Sequence, residues 1–158
     1  MKRPMGMMDL RWPHRATQAV AVVLWIAVLI LTCEAKKMSA TDANKAFIAK
    51  MLGEKKRLED FPDRFSPDLV MIEPAALPFG GTYRGLQQFQ RFYPEVRRYY
   101  DFDTWKVLGV YGDGDTVFAT TRVGVAGTST AMYIAEQFTF AGTKIVEVRV
   151  HVCDVKQN

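Results

Sequence analysis

VMIEPAALPFGGTYRG, residues 70–85, sets one carboxylate between strand-forming residues and a loop that cannot be regular. Val70, Met71 and Ile72 favour an extended backbone. Pro74 has no N–H and keeps the residue before it out of the helical region, so a strand ends at Glu73. Pro78, Gly80, Gly81 and Gly85 then punctuate a loop that leads into GLQQFQRFYPEVRRYY, residues 85–100, whose apolar spacing predicts a helix. Strand, acid, loop and helix in this order can hold a functional group at the mouth of a cavity. The plainer alternative is a solvated acid at a strand end.

Outward from this stretch, residues 102–154 read as four strands, FDTWKVLGVY, TVFATTRVGV, TAMYIAEQFTF and KIVEVRVHVCD, separated by the turn sequences GDGD, AGTS and AGTK. Links this short imply an antiparallel meander. On the N-terminal side, Ala46, Phe47, Met51, Leu52 and Leu58 predict a helix from Asp42 to about Glu59, with Thr41 or Asp42 as N-cap and Gly53 weakening its middle without ending it. A short helical piece over residues 58–65 is broken by Pro62 and ended by Ser66-Pro67, and the first strand follows over Leu69–Glu73. The helix after the loop, residues 86–100, carries its apolar stripe on Leu86, Phe89, Phe92, Tyr93, Val96 and Tyr100 and bends at Pro94. Helical segments ahead of a meander must cover one of its faces, so the class is α+β.

Strand alternation assigns the acids of the last hairpin to faces. On the last strand Val146, Val148, Val150 and Val152 share a face with Asp154, while Glu147, Arg149 and His151 share the other. On the strand before it, Met132, Ile134, Phe138 and Phe140 share a face with Glu136. A turn at Ala141–Thr143 brings this row beside the valines, and a turn through Gly127 brings Val117, Ala119, Thr121 and Val123 beside it from the other side. An unpaired ionised carboxylate in such a row costs on the order of several kcal/mol, so Glu136 must be protonated, paired, at an exposed margin or facing a cavity. Arg122 and Arg149 fall on the opposite face, which favours the cavity. His151 shares that outer face with Tyr133, and reads as an interface or surface histidine.

The 158 residues suffice for one domain. The formal charge of +4 comes partly from Lys2, Arg3, Arg11 and Arg15, which argues against nucleic acid as a partner. Cys33 and Cys153 are too few for a disulfide framework, and with His14 and His151 they make no metal motif; no phosphate-cradling glycine motif or nucleophile elbow is present. No metal or cofactor is expected. Residues 1–37 differ from the rest: a basic start precedes the apolar run AVAVVLWIAVLIL, Ala19–Leu31, whose length suits a signal peptide cleaved near Ala35. An uncleaved anchor with Trp25 at the interface, a lipoprotein through Cys33, and an untranslated extension with the true start at Met38 are the alternatives. Export or membrane anchoring follows from the first three and a cytoplasmic protein from the last; the domain proper is residues 38–158 in each case.

Taken together, residues 41–154 resemble the nuclear transport factor 2-like superfamily, in particular its SnoaL-like and ketosteroid-isomerase-like members. Val70–Gly85 is similar to the acid-Pro strand end and loop of the isomerases, and FTFAGTKIVEVRV to the family's final hairpin. The resemblance implies a curved antiparallel sheet wrapped around helices as a cone with an apolar pocket, often dimeric through the outer sheet face. Here that face carries Thr120, Arg122, Tyr133, Ala135, Arg149 and His151, and a homodimer is expected. Glu73 matches the isomerases' general base, which also precedes a proline, and Glu136 matches their oxyanion-hole acid. Ketosteroid isomerase is the standard instance of a carboxylic acid kept neutral to donate a hydrogen bond, so that logic is borrowed from it. Where the family places a tyrosine donor on the first helix, this sequence has Phe47, Ile48 and Ala49. The implied activity is proton transfer next to a carbonyl of a small apolar substrate, of isomerase or cyclase type, with Asp154 as a reserve base. A non-catalytic ligand-binding or dimeric accessory module is the other expectation.

Overall fold

The computed structural model describes residues 38–56 and 60–157. The leader, anchor or extension expected of residues 1–37 lies outside the described residues, as does Leu58. Helix α1 spans Ala40–Gly53. Its N-cap is Ser39, whose hydroxyl accepts from the Asp42 N–H at 3.0 Å. The expected cap Thr41 lies inside the helix and donates to the Gly114 carbonyl at 2.9 Å. The helix ends well before Glu59 because the chain turns back on itself: Lys55 N–H donates to Leu52 O at 3.2 Å and Lys56 N–H to Met51 O at 3.0 Å. This is a Schellman stop, and Lys55 takes its left-handed position at φ 53° where glycine is the usual occupant. Inside α1, Asn44 donates to Gly142 O at 3.1 Å and accepts from Arg64 at 3.2 Å, which ties the helix to the last hairpin.

After a 3₁₀ turn at Pro62–Arg64, strand β1 runs over Phe65–Glu73, starting earlier than its apolar run suggested. Ser66-Pro67 is absorbed at a break in register between Phe65 and Val70, the kind of place where a strand tolerates proline. Strand β2, Gly81–Arg84, lies in the stretch read as loop; it pairs back on β1 with Val70 opposite Arg84 and Glu73 opposite Gly81. Helix α2, Gly85–Tyr99, buries Phe89, Phe92 and Val96. Strands β3 (Tyr100–Asp113), β4 (Thr116–Val125), β5 (Thr130–Ala141) and β6 (Lys144–Gln157) form the expected meander.

The six strands make one sheet in the order β2-β1-β6-β5-β4-β3. The β1–β6 pairing is parallel, so the curved sheet is mixed rather than antiparallel throughout. The interior rows are those the alternation predicts: Val117, Ala119, Thr121 and Val123 stand opposite Phe138, Glu136, Ile134 and Met132. Along β6 the register slips twice, between Thr139/Phe140 and between Tyr133/Ile134. Two apolar clusters fill this face. One gathers Phe65, Leu69, Val117, Phe138, Phe140, Ile145 and Val148 around Ile48 and Met51 of α1. The other gathers Leu77, Phe79, Val123, Met132 and Ile134 around Phe89, Phe92 and Val96 of α2. Among the described residues no helix is long and apolar enough to cross a membrane.

Candidate active site

A cavity of about 140 Å³ opens between the sheet's inner face, α2 and the end of α1. Its walls include Met51, Phe65, Met71, Ile134, Phe138 and Val148, with the rings of Phe89, Phe92, Tyr93, Tyr100, Phe102 and Trp105. Rings account for the space: Phe89 meets Phe92 edge-on at 5.4 Å and Phe102 stacks on Trp105 at 5.6 Å, so flat, paired side chains line a curved sheet that they cannot follow closely.

Glu73 and Glu136 both line this cavity. Glu73 is the last residue of β1, held by its pairing with Gly81, and shares the inward parity of Leu69 and Met71. The loop behind it is compact: Leu77 N–H donates to Pro74 O at 3.0 Å and Gly80 N–H to Leu77 O at 2.9 Å, burying Leu77 and Phe79. A Cβ at Gly80 would collide with the Pro74 carbonyl, so the loop requires glycine there. Glu136 comes from the middle of β5, between Ala119 of β4 and Val150 of β6, neither of which offers it a side-chain partner. Ion pairs among the described residues involve neither acid.

Burial, uncompensated by a cation, governs both carboxyls. Glu73 is 8% exposed, and desolvation pushes its pKa up to about 7. Glu136 is pushed up to about 8, by burial first and then by the Glu73 charge. Glu136 is half-buried and lines the cavity. Near neutral pH the pair can therefore hold one proton between an ionised and a neutral carboxyl.

A third polar group was missed by sequence reasoning. Tyr100, where α2 passes into β3, is 6% exposed and lines the cavity. Its hydroxyl is buried without a protein partner among the described residues. Burial raises its pKa, followed by the charges of Glu73, Tyr99 and Glu136, which puts it within electrostatic reach of both acids. In the sequence it is merely the last member of an apolar stripe, and no local signal separates it from a core aromatic. Two other tyrosines are engaged elsewhere, while Tyr93 also lines the cavity. Tyr83 stacks on Phe92 at 3.8 Å and its hydroxyl donates to Phe79 O at 2.6 Å. Tyr133 lies beneath the Lys156 ammonium, 5.1 Å from the ring centre.

Asp154 is not in the cavity, contrary to its assignment by alternation. The register slip sets Tyr133 opposite Asp154 but Ile134 opposite Val152, so Cys153 is the extra residue of a bulge and the parity of β6 reverses beyond it. Asp154 is exposed, accepts from the Val155 N–H at 2.8 Å and pairs with Lys156 at 3.4 Å. Among the described residues no group of three or more His, Cys, Asp or Glu side chains converges as metal ligands would.

Comparison with known proteins agrees with this architecture. A SnoaL-like domain model matches residues 45–148, more than half of the chain. The fold is similar to an NTF2-like protein of Burkholderia thailandensis (20% identity, 70% of this chain and 90% of that one, TM-score 0.60). It is also similar to Bal32a from a soil-derived mobile gene cassette (14% identity, 73% and 93%, TM-score 0.61). A third similar structure is a candidate SnoaL-like polyketide cyclase of Jannaschia sp. CCS1 (14% identity, 74% and 90%, TM-score 0.60). A search of the curated proteins gives no match. The family match over residues 45–148 and the curved sheet that carries it agree: the fold is similar to that of NTF2-like structures, and the chain belongs to the SnoaL-like family.

Proposed function

We propose that the chain is an enzyme that moves a proton next to the carbonyl of a small, largely apolar substrate, as isomerases and cyclases of this family type do. The observation that carries the reading is the pair Glu73 and Glu136, two acids without ion-pair partners that line one apolar cavity, both with proton affinity raised by desolvation. Ionised Glu73 takes the proton from the carbon beside the carbonyl. As the C–H pair becomes the enolate π bond, the carbonyl oxygen gains charge, and the neutral Glu136 carboxyl donates a hydrogen bond to it. Glu73 then returns its proton to a different carbon, giving an isomer, or the enolate carbon attacks a second carbonyl of the same molecule, closing a ring as that carbonyl's π pair moves to its oxygen, which takes the proton from Glu73. The Tyr100 hydroxyl, unpartnered beside both acids, is the natural second donor and stands in for the tyrosine absent at Phe47–Ala49. A cavity of about 140 Å³ suits a body of one ring, since a cavity of roughly 150 Å³ takes benzene. The absence of a tyrosine on α1 is what favours the alternative of a ligand-binding module.

The test is exchange of carbon-bound protons into D₂O from a panel of single-ring ketones, followed by NMR. Wild type should exchange at least one of them above the buffer rate, with a bell-shaped pH profile that rises with the first deprotonation of the acid pair and falls with the second. Glu73→Gln should lower that rate roughly 100-fold or more, and Tyr100→Phe by less. Exchange by Glu73→Gln at the wild-type rate would remove the base, and exchange by neither protein would leave the ligand-binding reading.

A further inference from the structure

The cavity is charged at both ends, with opposite sign. Its charged lining residues are Glu73 and Glu136 inside and Lys55, Lys56 and Arg97 at its exposed edge. These cations do not serve the acids: no cation draws either carboxyl down, and no ion pair joins the two groups. They come from two helix ends, Lys55 and Lys56 from the Schellman stop of α1 and Arg97 from the last turn of α2.

Two of the three are held in place. Lys55 is the one non-glycine described residue with positive φ, a conformation that strains an L side chain. With Gly53 only two positions earlier, the chain nevertheless puts lysine at the strained position. From there the Lys55 ammonium donates to Phe102 O at 2.7 Å, across to the start of β3, and its remaining N–H groups are left for a ligand. Arg97 is laid over the Phe102 ring at 4.6 Å, so that one side of the guanidinium is fixed on the aromatic wall and its N–H edge stays available. Asp101 and Asp103 border a neighbouring polar hollow with Arg97, and Asp101 is engaged by the Asp103 N–H at 3.1 Å. Neither is in the wall of the main cavity.

We propose that the natural ligand is an amphiphilic anion: a one-ring or similarly small body with its carbonyl at Glu73 and Glu136, and a carboxylate at its other end held by Lys55, Lys56 and Arg97. This rests on the proposed function only for the placement of the carbonyl. Cations at the edge also select orientation, since an anion that entered first would be desolvated beside two acids.

The test is calorimetric titration of the full chain with 4-acetylbenzoate and with its methyl ester, which differ in charge and hardly in shape. The carboxylate should bind at least about tenfold more tightly, as expected when charge-assisted hydrogen bonds replace neutral ones, and the preference should shrink as salt is raised. Lys55→Gly combined with Lys56→Gln and Arg97→Gln should abolish the preference, with the affinity for the ester falling by less than that for the carboxylate. Lys55→Gly relieves the strained backbone while removing one ammonium, so it should weaken the preference with Tm unchanged or raised, which unfolding cannot mimic. Glu73→Gln should keep the preference, so proton exchange by this variant at the wild-type rate together with a retained preference would count against the catalytic reading alone. Equal affinity for the two probes, or binding of neither at millimolar concentration, would overturn the proposal.

Discussion

The two halves of the sheet's inner face use similar residues for different ends. Under α1, Ile48, Leu69, Val117 and Ile145 are 0–1% exposed and none of them lines the cavity, which only the margin of this cluster reaches through Met51, Phe65, Phe138 and Val148. Under α2, aromatic rings dominate, the exposures are a little higher, and the space between the rings holds two carboxyls. One half therefore gains stability from complete burial, and the other gives some of it up to keep acids in an apolar setting. The difference is one of side-chain shape and of charge, on the same strands.

Substitutions sharpen the contrast, and the largest effect is expected in the closed half. Ile48→Ala should cost about 2–5 kcal/mol by leaving a cavity at a fully buried site, measured as a loss in urea-unfolding free energy without a change in slope. A cost under about 1 kcal/mol would mean that this half is as loosely filled as the other.

In the open half the sign should reverse. The Glu136 pKa is raised in the folded chain, so the folded state binds that proton more tightly, and its contribution to stability is full below the unfolded value and lost as pH climbs towards about 8. Glu136→Gln, which never ionises, should be at least as stable as wild type at pH 7. Its advantage should grow between about pH 4.5 and 7 by at most about 1.4 kcal/mol per pH unit. Unfolding curves for the two proteins that stay parallel over this range would dispose of the buried-acid description. The smallest effect belongs to Asp154→Asn, an exposed acid outside the cavity, where a change in urea-unfolding free energy within about 0.5 kcal/mol is expected. A loss of about 2 kcal/mol or more would place Asp154 inside after all.

Much of this was legible in the sequence because it depends on local rules. Pro74 fixed the end of β1 at Glu73, the short turns fixed the β3 to β6 meander, and alternation put Glu136 on the inner face, where it lies opposite Ala119 and Val150. The misreadings share one cause. The end of α1 depends on Lys55 accepting a left-handed conformation, which lysine seldom does. Strand β2 exists because β1 offers it an edge, and its four residues carry little pattern of their own.

By itself the sequence determined where strands and helices form and which faces are apolar, since backbone preference and residue period act over a few neighbours. Only the tertiary structure decided which acids share a cavity. A single bulge at Cys153, set by how β6 must twist to follow β5, turned Asp154 outward, while the passage from α2 into β3 carried Tyr100 to the two acids. Register and the joining of elements are settled by packing between distant parts of the chain, and a one-residue slip there exchanges the inside of a site for its outside.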